Sequence, residues 1–172
     1  PVFDRLFGRL PLAGRLRAAF NADRLWNRMV RYPRHARRLP AAFDAFHVAD
    51  HSYAQLVHAL PASRTGVFCH DLDAFRCLLE PERDPRPAWF RAVARRILSG
   101  LRRAAVVFHN SRAVGEEIVR FGLVPADRLV HAPLGVAPEF HAAAEAGRGP
   151  SAPTHGLAPG SYLLHVGSCI PR

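Results

Sequence analysis

The chain has 172 residues, 49% hydrophobic and 22% charged, a globular balance that excludes wholesale disorder and suits one domain of ordinary size. Its formal charge is +10, all 24 basic residues are arginine, and no apolar run approaches the roughly 20 residues that a bilayer crossing needs. Three cysteines (Cys69, Cys77 and Cys169) are too few and too scattered for a disulfide framework or a CxxC metal site.

The basic character belongs to the N-terminal segment, residues 1–42. Residues 1–38 hold ten arginines against Asp4 and Asp23, a balance of +8, while the other 134 residues carry +2. Gly8, Pro11 and Gly14 argue against a long helix over residues 1–14. From Ala13 to about Arg31 the pattern predicts a helix, with Leu16, Phe20, Trp26, Met29 and Val30 set among arginines, and Pro33 as its stop. Such a basic amphipathic helix could lie on an anionic membrane surface or pack its apolar stripe on a core.

Phe43 to Ala49 reads as a short strand, and Ser52 can cap a helix running to Leu60, with Tyr53, Leu56, Val57 and Leu60 on one face. Thr65 to Cys69 is a second apolar strand, followed by the loop His70-Asp71-Leu72-Asp73. Residues 80–87 are rich in proline and charge and form a loop; Pro87 then suits a first helical turn. Trp89, Phe90, Val93, Ile97, Leu98 and Leu101 recur at helical spacing, opposite Arg91, Arg95 and Arg96. Ala104 to Phe108 is a third strand, Ser111 caps a helix ending at Gly122, and Leu129 to Ala132 is a fourth strand before the turn Pro133-Leu134-Gly135-Val136. Residues 141–160, rich in Ala, Gly and Pro, read as a linker, and Tyr162 to Val166 is a last strand broken by Gly167. The chain starts at Pro1, has Met29 as its one methionine, and stops at Arg172 just after that strand, so a piece of a longer protein is expected.

Alternating strands and helices build a parallel sheet with helices on both faces, and the near-continuous apolar strands suit one. Ligands of such sheets bind at the carboxyl ends of the strands. Functional weight therefore falls on the polar residues after each strand: Asp50-His51-Ser52, His70-Asp71, His109-Asn110-Ser111, Gly135 and Gly167-Ser168.

Four of these passages, in order, resemble one family. Cys69-His70-Asp71-Leu72 looks like the strand-end "HDL" of retaining glycosyltransferases of the two-Rossmann-domain (GT-B) class, group 1 or family 4. Asn110-Ser111 with Glu116 and Glu117 resembles the family's S-x-x-x-x-x-E segment. Leu123 to Val130 and Pro133 to Phe140 are similar to its "peri-vv-pnGvd-ef" passage, with Leu134 in place of the usual asparagine. Tyr162 to Arg172 looks like the opening strand and glycine loop of the second domain, while the family's first strand and its glycine-rich turn have no counterpart at the N-terminus.

The resemblance implies an α/β Rossmann-like parallel sheet with flanking helices, the N-terminal, acceptor-side half of a GT-B architecture. Residues 43–140 would form that domain, 141–160 the linker, and 161–172 the first strand and glycine loop of a truncated donor-binding domain. The intact protein would move a hexose from a nucleotide sugar to a carbohydrate or lipid-linked acceptor with retention, needing no essential metal. The isolated chain should be inactive, because in the family the second domain holds most of the donor. His70 and Asp71 would carry the catalytic role, orienting sugar hydroxyls by hydrogen bonds. The bland counterpart is a structural His–Asp pair capping the next helix. Asp50, His51, Ser52, Asn110 and Ser111 would face the acceptor, though Ser52, Asn110 and Ser111 also read as helix caps. Gly135, Gly167, Ser168 and Arg172 would serve the donor diphosphate, through backbone N–H groups and one cation.

The spacing of Cys69, His70, Asp71, Asp73 and Cys77 fits no common zinc pattern. No G-x-S-x-G elbow supports a hydrolase. A second function class is a non-enzymatic basic module for nucleic acid or anionic membrane; it rests on the +8 of residues 1–38 alone, and nucleic acid is not expected without an interleaved aromatic platform. The N-terminus shows no signal peptide, so a cytoplasmic location is expected, with peripheral contact at the inner membrane face.

Overall fold

A computed structural model describes residues 5–6, 16–39, 43–135 and 137–138. Packing divides the chain into two units, Pro1–Pro133 and Leu134–Arg172. The first holds a four-stranded parallel sheet in the order β1 (Phe46–Val48), β2 (Thr65–Cys69), β3 (Val106–His109) and β4 (Leu129–His131). It is an α/β, Rossmann-like sheet with flanking helices, as the alternation predicts, but the described helices that join its strands pack on one face rather than on both. The strand expected over residues 43–49 pairs only from Phe46, because its partner β2 begins at Thr65, and those two residues are in register.

The register aligns Val48, Val67, Val107 and Leu129 across the sheet. Successive residues of a strand alternate faces, so these four share one. Val57 of the 3₁₀ helix His51–His58, Ile97, Leu98 and Leu101 of α4 (Ala88–Arg103), and Ile118 of α5 (Arg112–Arg120) pack into the same cluster. Each such side chain contributes about 1.5–3 kcal/mol by leaving water. α4 and the 3₁₀ helix touch closely where α4 has no side chain: a Cβ on Gly100 would run into the backbone carbonyl of Ala54. On the opposite face Phe68 and Phe108 are register partners, with ring centroids 6.4 Å apart, and the His47 ring lies 5.6 Å from Phe108.

Three local details differ from the sequence expectation. The N-terminal helix does not stop before Pro33. α1 (Leu16–Trp26) passes into a π-helical turn, Asn27–Arg31, and continues as α2 (Tyr32–Ala36). The Tyr32 N–H donates to the Asn27 carbonyl five residues back. This wider turn accommodates a proline that has no N–H and crowds the preceding turn. Second, the helix after β1 is a 3₁₀ helix capped by Asp50, whose carboxylate accepts the Ser52 N–H at 2.8 Å. Third, Trp89 begins the apolar face of α4 but is 60% exposed, because that face extends past the core. The α5 expectation holds: Ser111 Oγ accepts the Val114 N–H at 3.3 Å, and Gly122 follows the helix with φ 58°. The linker of 141–160, the strand Tyr162–Val166 and the glycine loop lie outside the described residues.

Candidate functional site

Parallel strands bring their carboxyl ends to one edge, and there the chain gathers His51, His70, Asp71, His109 and His131. His51 is the centre of the first group. It is 5% exposed and opens the 3₁₀ helix behind its Asp50 cap. Its Nδ1 accepts the backbone N–H of His70 at 3.3 Å. That bond leaves the proton of neutral His51 on Nε2, which faces Asp71 Oδ1 at 3.5 Å. Asp50 Oδ1 lies 3.7 Å from Nδ1. Burial lowers the His51 pKa against the pull of Asp71 and Asp50, so the imidazole stays neutral near pH 7. The Phe75 ring, itself buried, closes on it at 5.7 Å.

His70 is also fixed. Its Nε2 lies 3.0 Å from the Ala49 carbonyl, which can only accept, so Nε2 carries a proton, and in the neutral ring Nδ1 is the acceptor. The ring packs on Phe68, centroid to centroid 4.7 Å. Asp71 Oδ1 accepts the Asp73 N–H at 3.0 Å, turning the chain toward the short helix α3 (Arg76–Leu79). Asp50 spends Oδ1 on Ser52. Partial burial works against its charge, but the Ser52 bond, His51 and His70 outweigh that and hold its pKa below the ordinary range. Beneath these residues the Cys69 thiol donates to the Asp71 carbonyl at 3.2 Å. Burial, followed by the Asp71 carboxylate, pushes that thiol up to about 12, so it is no nucleophile at neutral pH.

The second group ends β3 and β4. His109 and His131 are register partners with stacked rings 5.2 Å apart. His109 Nδ1–H donates to the Ser111 carbonyl at 2.8 Å, which leaves its Nε2 as an acceptor. Gly115 of α5 makes room for this ring, since a Cβ there would lie 2.5 Å from His109 Cε1. Asn110 Oδ1 is buried with no hydrogen-bond partner among the described residues.

The structure thus brings Asp50, His51, Ser52, His70 and Asp71 together around β1 and β2, and Asn110 and Ser111 to the end of β3. Gly135 is exposed and belongs to the second packing unit. Gly167, Ser168 and Arg172 lie outside the described residues.

Arg76 carries no local sequence signal. It bonds Glu80 at 2.9 Å and Glu117 of α5 at 2.8 Å, and so ties the segment after Asp71 to the helix after Asn110. The Glu117 bond is the main reason its pKa is raised. The signal available for this tie was the glutamate pair in α5, whose partner is 41 residues distant. Among the described residues, no three His, Cys, Asp or Glu side chains gather as metal ligands. None of the described helices is long and apolar enough to cross a membrane.

Compared with known proteins, residues 5–140 match the family model described as Glycosyltransferase Family 4. No curated protein and no solved structure matches the chain.

Proposed function

The chain belongs to glycosyltransferase family 4, and from that membership we propose that it is the acceptor-side domain of a retaining GT-B enzyme. The enzyme transfers a hexose from a nucleotide sugar to a carbohydrate or lipid-linked acceptor. One observation carries the reading: a buried neutral histidine, His51, holds both the His70 backbone and the Asp71 carboxylate at the edge where parallel sheets bind ligands. His51 is then a positioning residue. His70 Nδ1 and the free faces of the Asp71 carboxylate take sugar hydroxyls. The unpartnered Asn110 Oδ1 is a further acceptor for a hydroxyl proton at the neighbouring strand end.

Gly135, Gly167, Ser168 and Arg172 belong to the donor side in this reading, where N–H groups and a guanidinium meet the leaving diphosphate. The chemistry needs no metal bound by this chain's own residues. The enzyme works in the cytoplasm, with the basic helical stretch of residues 16–36, five arginines against Asp23, in peripheral contact with the anionic inner membrane face.

The test is release of nucleoside diphosphate by the intact protein from a panel of nucleotide sugars, with sugar and lipid-linked acceptors. Asp71→Asn and His70→Ala should each cut turnover by about 100-fold or more, within the range expected of general acid–base and positioning groups. His51→Gln should raise KM and lower kcat together while leaving donor binding intact. Full turnover by both the Asp71 and His70 variants would reject the site.

A further inference from the structure

A pocket of about 530 Å³ opens beside the strand-end cluster, walled by α1, the π-helical turn, the 3₁₀ helix and the first turns of α4. Phe20, Tyr32, Tyr53 and Trp89 supply most of its aromatic wall, and Arg24 and Arg28 its charge. Phe20, Leu25 and Trp89 line it and are also exposed, at 52%, 39% and 60%. Large apolar side chains left in water around one concavity mark a binding surface rather than a core.

Arg28 is the unusual member. Its guanidinium stacks on the Tyr53 ring at 4.8 Å, yet its Nε is buried with no hydrogen-bond partner and no carboxylate forms an ion pair with it among the described residues. Burial is the first reason its pKa is lowered, against smaller pulls from Tyr53 and Asp50. A desolvated cation lacking a bonded anion is costly, and a bound anion would remove that cost. Arg24, over the Phe20 ring at 5.9 Å, adds a second cation. Acidic competition is small: Asp23, the one acid in 16–39, is 1% exposed and accepts the Leu6 N–H.

We propose that this pocket binds the phosphate of a long-chain prenyl or alkyl phosphate, with Arg28 and Arg24 on the phosphate and the aromatic wall along the chain. A guanidinium fork matches phosphate oxygens in a plane. A nucleoside would need several hydrogen-bonding groups for base and ribose, whereas this wall is mainly aromatic and aliphatic. The exposed Phe20, Leu25 and Trp89 leave apolar surface at its mouth for the chain. Tyr53 stands two residues after His51 in the same short helix, so the pocket and the strand-end site share that helix. The proposal deepens the transferase reading by naming the acceptor class. Binding itself is read without any sugar transfer, so either reading can fail alone.

The experiment titrates the full chain with farnesyl monophosphate below its micelle concentration, in a Trp26→Phe background where Trp89 is the sole tryptophan. Saturable change in Trp89 emission is expected, with farnesol and inorganic phosphate each about tenfold weaker or worse. Arg28→Gln should weaken binding by about tenfold or more, the loss of one charge-assisted hydrogen bond. Arg24→Gln, on an exposed side chain, gives the same direction should the Arg28 variant fail to fold. Equal binding of farnesol, no effect of either arginine variant, or a response only to phosphatidylglycerol vesicles would each overturn the proposal.

Discussion

Gly115→Ala separates packing at the site from helix propensity, because the two predict opposite signs. Inside an exposed helix the change stabilises by about 1 kcal/mol. In α5 the new Cβ would stand 2.5 Å from His109 Cε1 and 2.9 Å from both ring nitrogens. The ring has nowhere cheap to go: it is 8% exposed, stacked on His131, and bonded through Nδ1–H to Ser111 at 2.8 Å. Overpacking costs about 1–3 kcal/mol, and the strained hydrogen bond adds about 1 kcal/mol. Set against the propensity gain, the net is a destabilisation of about 1–3 kcal/mol. Urea unfolding of the full chain should show a lower midpoint with an unchanged slope. Removing the ring should reverse the sign, so Gly115→Ala introduced into His109→Ala should be neutral or stabilising. A single mutant as stable as the parent, or more so, would refute the account of Gly115 as the space for His109.

Gly100→Ala should destabilise by about 3 kcal/mol or more, since its Cβ meets backbone rather than a movable side chain; calorimetry of the variant checks this. His51 and His58 both have lowered pKa values with burial as the first cause, so the unfolded chain takes up protons before the folded one. Their contribution is therefore fully present above about pH 6.5 and is lost as pH falls through the folded values, at no more than about 1.4 kcal/mol per pH unit per group. His51→Gln should flatten that slope in urea titrations between pH 7 and 5, leaving the His58 part; an unchanged slope would mean His51 is not held neutral. Cys69, with its thiol near pKa 12 and buried, should resist iodoacetamide at pH 8 in the folded protein and react fully in urea, as read by mass spectrometry. Arg76→Gln and Glu117→Gln should be non-additive, with a coupling of at most about 1 kcal/mol because the pair is partly solvated, and with a larger loss of activity than of stability.

The sheet was legible because its evidence is local. Thr65–Cys69 is an apolar run between turn signals, and the structure assigns it those bounds. The strand-end residues followed from topology, since a parallel sheet delivers the residue after each strand to one edge. The interactions that organise them were not legible. No pattern tells that His51 Nδ1 would take the His70 N–H, 19 residues away, or that Arg76 would find Glu117. Both depend on tertiary approach. Pro33 misled for the opposite reason: its local rule is sound, but a π-helical turn ahead of it absorbs the missing N–H. Trp89 and Phe90 fitted a core stripe by period alone, and only the length of α4 beyond the sheet shows that they border a pocket.

The order of the strands has a further consequence, for synthesis. Among the described residues the strands lie side by side in the sequence in which the ribosome makes them, β1-β2-β3-β4, with no later described strand inserted between earlier ones. Each new strand joins an edge that already exists, and the helix linking it to its neighbour emerges first. Parallel pairing is ordinarily slow, because distant segments must meet before either gains from it. Here every pairing among the described strands joins consecutive ones, so this part of the sheet can grow by vectorial addition during translation. Its exposed working edge at any moment is the strand just made.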